Sequence, residues 1–321
     1  MNNKIILVPG DPNSVNSELI FKCWKKLNES IKKKIYLLGS YSLILKQCQK
    51  LNLPIKIAKV SNINETSDRN ILKIIDIKLK FKDPFQVNTR FASQYVKKSL
   101  SLAHELCLKN NARGLINCAI NKTLLGKTSF GVTEFLGKKC NIKDESEAML
   151  ISNSKFSVCP LTTHLDLKMV PKKIKKNIII NKVKTINSWY KKNFKKRPKF
   201  AILGLNPHNA ELRKNSEEIK VIIPAIQRLK KIGINIKGPL VADTIFINDY
   251  KKYDVIIGMY HDQVLTPFKT LFKFNAINIT LGLKYLRVSP DHGTAIDIIR
   301  KNKANPESLL KCIYFINKFN K

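Results

Sequence analysis

Acidic residues are the scarce class in this chain: 23 Asp and Glu stand against 59 Lys and Arg in 321 residues, a formal charge of +36. No apolar run approaches the roughly 20 residues needed to cross a bilayer, and the opening MNNKIILVPG has neither a long apolar region nor a cleavage site. A cytoplasmic protein is expected. Seven cysteines, at 23, 48, 107, 118, 140, 159 and 312, include no CxxC pair. That spacing argues against a disulfide framework or a structural zinc site and predicts reduced, mostly buried thiols. Nor does any GxGxxG follow a strand, which argues against the usual Rossmann fingerprint.

What is present fits a folded α/β protein. Hydrophobic residues make up 44% of the chain, and its length suffices for two lobes with separate cores. Short β-branched runs alternate with helical patterns: strands are predicted at 4–8, 35–38, 55–60, 71–79, 114–120, 148–152, 157–161, 200–203 and 255–259. Helices are predicted near 17–27, up to 51, over 92–110, over 217–232 and over 306–317. Such alternation predicts a largely parallel sheet.

The excess charge admits two readings. The segment 168–199 contains no acid and interleaves Trp189, Tyr190 and Phe194 with lysines, as a nucleic-acid surface would. Yet Ile174, Ile178, Val183, Ile186 and Tyr190 recur at near-helical spacing, which makes those lysines the solvated face of an amphipathic helix. Either way, so basic a chain attracts anionic substrates.

Candidate chemistry concentrates between Gly238 and Ala295, in GPLVADT, DVIIGMYHDQ and NITLGLKYLRVSPDHGTA. VIIGM reads as a strand buried on both faces, whose carboxyl end delivers Tyr260, His261, Asp262 and Gln263. In open α/β sheets that is where ligands bind. His164 and His208 likewise follow short apolar runs. Three imidazoles plus an open position suit Zn²⁺, with Co²⁺ or Mg²⁺ as alternatives, but the spacing alone favours three unrelated histidines. His104 lies inside a predicted helix and reads as structural.

GLNPHNAE, GPLVADT, MYHDQ, NITLGL and RVSPDHGTA, in this order, resemble the signature blocks of the 4-hydroxythreonine-4-phosphate dehydrogenase family. LVPGDP, TEF and TTHL extend the similarity over nearly the whole chain. The resemblance implies a two-lobed αβα fold like that of the isocitrate and isopropylmalate dehydrogenases, with the active-site cleft between lobes. It implies an outer lobe of 1–125 with 280–321 and a central lobe of 126–279 carrying metal ligands and dimer contacts. The implied reaction is NAD-dependent (or NADP-dependent) oxidation and decarboxylation of 4-phosphooxy-L-threonine to 3-amino-2-oxopropyl phosphate, in a homodimer with shared sites. By the same resemblance His164, His208 and His261 hold the metal. Thr133, Lys269, Asn278 and Arg287 bind substrate, and Asp243 and Lys269 assist catalysis. Asp291, His292, Gly293 and Thr294 bind the cofactor, with Arg300 in reach of its phosphates.

Ser14 and Asn16 stand where the family has glycines, IIRKNKA replaces a small-residue run, and two further departures bear on the substrate and metal sites. Val132 stands where the family has a His, so either another group contacts the substrate there or the preferred substrate differs. The stretch after His208, NAELRKNSEE, has none of the family's glycines. Two alternatives therefore accompany the main reading: a sister dehydrogenase of another 4-phosphorylated hydroxy acid such as a tetronate 4-phosphate, and a nucleic-acid binder on a decayed scaffold.

Overall fold

The structure, a computed structural model, describes residues 3–109, 111–126, 131–140, 146–153 and 155–319. In chain order the elements are β1 (Ile5–Val8), α1 (Asn16–Lys26), α2 (Glu29–Lys32), β2 (Ile35–Gly39), α3 (Tyr41–Lys50), β3 (Lys56–Val60), β4 (Ile71–Asp76), α4 (Thr89–Leu108), β5 (Gly114–Asn117) and α5 (Val132–Lys139). Next come β6 (Ala148–Ser152), β7 (Ser157–Pro160), α6 (Val170–Lys173), α7 (Lys176–Phe194), β8 (Phe200–Leu203), α8 (Ile223–Lys231), β9 (Ile236–Leu240) and α9 (Ala242–Ile245). The chain ends with β10 (Val255–Gly258), α10 (His261–Phe272), β11 (Ile277–Leu281), β12 (Leu286–Pro290) and α11 (Glu307–Lys318). It divides into one compact unit of Met1–Leu136 with Lys284–Lys321 and a second of Gly137–Leu283.

In the first unit the strands run β3-β4-β2-β1-β5-β12, every pair parallel. IILV, IYLLG and GLIN are buried throughout, as expected of strands covered on both faces. The alternating pattern over 71–79 yields only 71–76 as strand, and the helix predicted from 92 begins at Thr89, where Asn88 accepts from the Arg90 N–H. Residue 110, its predicted end, lies outside the described residues. His104 is buried and its Nδ1 lies 2.9 Å from the Tyr285 hydroxyl, a structural role.

Lys73, on β4, is a buried charged residue of this sheet. Its side chain is buried over the Tyr36 ring, 4.2 Å from the centroid, and donates to the Lys33 carbonyl. Burial, with help from Lys4, pulls its pKa down to about 8. A pKa lower in the folded than in the unfolded chain means that folding sheds a proton between pH 8 and 10.5, so this group's contribution to stability improves as pH rises through that window. Compared with Lys73→Met, the wild-type unfolding free energy should gain about 2 kcal/mol between pH 8 and 10.5 in urea titrations. Parallel pH profiles for the two proteins would refute this.

In the second unit the order is β11-β6-β7-β10-β8-β9. β11, β6 and β7 pair antiparallel, while β7, β10, β8 and β9 run parallel, so their carboxyl ends share one rim. Phe156, Val158, Leu203, Ile256, Val264 and Phe268 pack in its core. The basic segment is the amphipathic helix its spacing predicts: α7 buries Ile179, Val183, Ile186 and Tyr190. Trp189 packs edge-on against Tyr190 and Phe194, with ring centroids 5.4 and 5.1 Å apart, so these aromatics stack on one another. The helix predicted over 217–232 forms, its first turn a π-helical one at Glu218–Ile222 that runs directly into α8. Six cysteines are buried, Cys140 is half-buried, and all seven are free thiols. Among the described residues no helix is long and apolar enough to cross a membrane.

Candidate functional site

The rim at the carboxyl ends of β7, β10, β8 and β9 collects much of the chemistry of the second unit. Register aligns Gly258 with Pro160 and Leu203 with Leu240, so the turns beyond them start side by side. His164 leaves the turn after β7, His208 the turn after β8, and His261 opens α10 directly after β10. Asp243 lies in α9, after β9, and is exposed.

His164 and His261 come together, their ring centroids 5.5 Å apart. Two imidazoles bound to one tetrahedral ion at ~2.1 Å place their centroids roughly 5 Å apart, so this pair fits a shared cation. His261 Nδ1 sits 2.7 Å from Asp262 Oδ1. A carboxylate there favours the Nδ1–H tautomer and leaves Nε2 as the donor atom, the usual outer-shell arrangement of a metal-bound histidine. Among the described residues no three His, Cys, Asp or Glu side chains lie close enough to hold an ion, so His208 does not complete a triad within one copy of the chain.

His208 occupies an unusual backbone. Residues His208, Asn209, Ala210, Glu211 and Leu212 all have φ between +49° and +58°, in the stretch that lacks glycine. Left-handed geometry costs non-glycine residues roughly 1–2 kcal/mol each. Local bonds hold the turn: Arg213 N–H donates to the Ala210 carbonyl at 3.0 Å and Asn209 Nδ2 to the Pro239 carbonyl at 3.2 Å. Beneath it the buried Glu218 accepts from the Leu205 N–H at 2.8 Å and the Asn206 N–H at 2.9 Å. Burial pushes the Glu218 pKa up, but these bonds from Asn206 and Leu205 outweigh it and the carboxyl ends below its ordinary value. His208, Glu211, Gln227, Lys230 and Pro239 line a cavity of about 530 Å³.

Of the expected substrate residues in this unit, Lys269 is exposed in the last turn of α10, and Asn278 is the second residue of β11. Among the described residues the buried Asn278 Oδ1 has no hydrogen-bond partner, which leaves it able to accept from a ligand. In the first unit Arg287, buried on β12, donates through Nε to Asn117 Oδ1 at 2.7 Å and through Nη1 to Thr133 Oγ1 at 3.2 Å. Arg287 thus bonds Thr133 directly and is held from its other side by Asn117, which sequence reasoning missed: it merely closes the apolar run GLIN. Burial lowers the Arg287 pKa to about 10, so the guanidinium stays charged at neutral pH.

Asp291, His292, Gly293 and Thr294 form the turn after β12. Its backbone is fixed at both ends: the Asp291 N–H donates to Ser308 Oγ at 2.9 Å, and the Thr294 carbonyl accepts from the Val15 N–H at 3.1 Å. Among the described residues nothing lies within 4 Å of where a Cβ on Gly293 would sit, which leaves room for a ligand along the backbone. Arg300 is already engaged: its Nη2 lies 2.8 Å from both Asp83 oxygens and its guanidinium over the Phe85 ring, 5.0 Å from the centroid.

Known proteins share both the sequence and the fold. Residues 30–316 match the family model described as "Pyridoxal phosphate biosynthetic protein PdxA". The chain is 38% identical to the 4-hydroxythreonine-4-phosphate dehydrogenase of Aquifex aeolicus, covering 98% of each chain. It is 30% identical to an Oceanobacillus iheyensis protein provisionally named D-threonate 4-phosphate dehydrogenase, covering 95% of this chain and 94% of that one. The crystal structure of 4-hydroxythreonine-4-phosphate dehydrogenase from Klebsiella pneumoniae superposes with a TM-score of 0.83 at 27% identity, covering 98% of this chain and 97% of that one.

Proposed function

The chain belongs to the family of the pyridoxal phosphate biosynthetic protein PdxA, and from that membership we propose that it oxidises and decarboxylates 4-phosphooxy-L-threonine to 3-amino-2-oxopropyl phosphate, using NAD⁺ and a divalent cation. The observation that carries the metal reading is the His164–His261 pair, whose 5.5 Å spacing suits two imidazoles on one ion. His208 is the third ligand in this proposal. When bound, the cation makes the substrate alcohol easier to deprotonate and polarises the carbonyl that replaces it. NAD⁺, held by the turn after β12, would supply the hydride acceptor.

The chain's own residues do the rest. Arg287 and Lys269 bind the anionic groups of the substrate, Arg287 with the planar fork that suits a phosphate or carboxylate. Thr133 shares the Arg287 guanidinium and offers its hydroxyl. The unpartnered Asn278 Oδ1 accepts a substrate hydrogen. Asp243 orients a ligand or relays a proton, with Lys269 as the second catalytic candidate. Asp291, His292, Gly293 and Thr294 hold the nicotinamide cofactor, NAD or NADP. A homodimer is part of the proposal. Exposed Leu165, Leu167 and Met169 beside His164, and Leu212 beside His208, are apolar surface that a second copy would cover. The free thiols suit a reducing cytoplasm.

Val132 favours a second substrate reading. It begins α5 directly before Thr133, where the resemblance places a histidine, and the Oceanobacillus relative carries a threonate phosphate name. A panel of 4-phosphooxy-L-threonine, D-threonate 4-phosphate and D-erythronate 4-phosphate, assayed with Zn²⁺, Mg²⁺ or Co²⁺ by NADH absorbance, separates the two. The threonine ester should lead by about tenfold or more in kcat/KM, the weight of one substrate-specific hydrogen-bonded contact. Preference for a tetronate would install the second reading, and silence across the panel would end both.

A further inference from the structure

The three histidine-bearing turns are joined by a single chain of hydrogen bonds through Met259 and Gln263. The Gln263 side chain faces both ways: its Oε1 accepts from the Met259 N–H at 2.7 Å and its Nε2 donates to the Gly204 carbonyl at 2.8 Å. Met259 lies two residues before His261, and Gly204 opens the turn that leads to His208. On its other side, the Met259 carbonyl accepts from the Thr162 Oγ1 at 2.8 Å and the Thr162 N–H at 3.2 Å, and Thr162 lies two residues before His164. Beyond Gly204, the buried Glu218 fixes the Leu205 and Asn206 amides.

Glycines make room for this connection. A Cβ on Gly258 would come within 2.5 Å of Val264 Cγ1 and 2.9 Å of Gln263 Oε1, and one on Gly204 would overlap Asn209 Oδ1 and come within 3.1 Å of Glu218 Oε1. The pattern cannot be explained by strand pairing, because β10 and β8 have already exchanged their last ladder bonds at Ile257 and Ile202. Past that point the Gln263 side chain links the β10 turn to the β8 turn, while on the β7 side the Leu161 and Thr162 N–H groups still bond the Gly258 and Met259 carbonyls.

We propose that Gln263 is a positioning residue: it ties the His261 turn to the His208 turn of the same copy and thereby sets where each copy presents these two histidines to the cations of the proposed homodimer. The inference rests on the three-histidine reading above. Its chemistry requires an amide, since one end must accept and the other donate. Removing such an outer contact typically costs 10- to 100-fold in metal affinity.

The test is Co²⁺ titration of the full-length protein, tracked by its d–d absorption and by calorimetry, with thermal midpoints recorded alongside. Gln263→Glu keeps the acceptor but loses the donor to Gly204; Gln263→Met loses both. Each should raise the Co²⁺ dissociation constant 10- to 100-fold and shift or broaden the d–d bands. Thr162→Val, which keeps the Thr162 N–H bond, should raise it a few-fold and decides the matter if the Gln263 variants fail to fold. Wild-type Co²⁺ affinity and spectrum in folded Gln263→Glu, whatever its thermal midpoint, would overturn the proposal. Failure of the wild-type protein to bind Co²⁺, or undiminished binding by His261→Ala, would instead overturn the three-histidine reading and this inference with it.

Discussion

In a His261→Ala variant, NADH formation from the phosphorylated substrate is expected to fall by at least about 10³-fold, about 4 kcal/mol of transition-state stabilisation. His261 stands in the first turn of α10 with its ring 5.5 Å from that of His164 and its Nδ1 against Asp262. Alanine keeps the helix and removes only the imidazole, so the thermal midpoint should move by no more than a few degrees. On the proposed reading the three histidines act as a unit. His164→Ala should therefore cost about as much, and the double variant little more than either single one. Initial rates at saturating substrate and added Zn²⁺ or Co²⁺ provide the check. A His261→Ala enzyme working within tenfold of wild type would remove the cation from the proposed chemistry.

The prominence of His261 is legible from sequence because its environment is local. VIIGM is short, apolar and β-branched, and residues just past a buried parallel strand lie at a ligand-binding edge. Which turns neighbour it is not legible. β10 lies between β7 and β8, about 95 and 55 residues away along the chain, and that adjacency is set by strand pairing no local pattern records. β9 escapes sequence reasoning for a related reason. Its IKGPL carries Gly238 and Pro239, which blunt any strand pattern and are tolerated because β9 ends the strand order.

The left-handed run from His208 is hidden too, since a stretch without glycine gives no sign of positive φ. Gln263 is visible as a letter in MYHDQ. An uncharged amide, however, acquires meaning only from the two backbone groups it joins, one of them 59 residues distant. The difference is physical: ionisable residues advertise chemistry by type, whereas positioning residues advertise it only by contact.

Arg287 carries the second large expectation, because its guanidinium combines burial, charge and a fixed orientation. Arg287→Lys should lower kcat/KM by about 10²-fold and Arg287→Met by about 10³-fold, mostly through KM. Lysine retains a charge but presents a point cation that cannot span two oxygens of a phosphate or carboxylate. The present geometry is oriented from behind, with Nε on Asn117 Oδ1 at 2.7 Å and Nη1 on Thr133 Oγ1 at 3.2 Å. With its pKa lowered only to about 10, the group stays cationic wherever the enzyme works. Stability should respond far less than activity. Methionine leaves the buried Asn117 oxygen without this donor, a cost of about 1–3 kcal/mol, while relieving the burial of a charge, and the two effects oppose. Steady-state kinetics beside urea denaturation separate these terms: a large loss of kcat/KM with a small change in unfolding free energy marks a substrate-binding cation. Comparable losses in both would mark Arg287 as part of the core of β12, and the anionic end of the substrate would then need another partner.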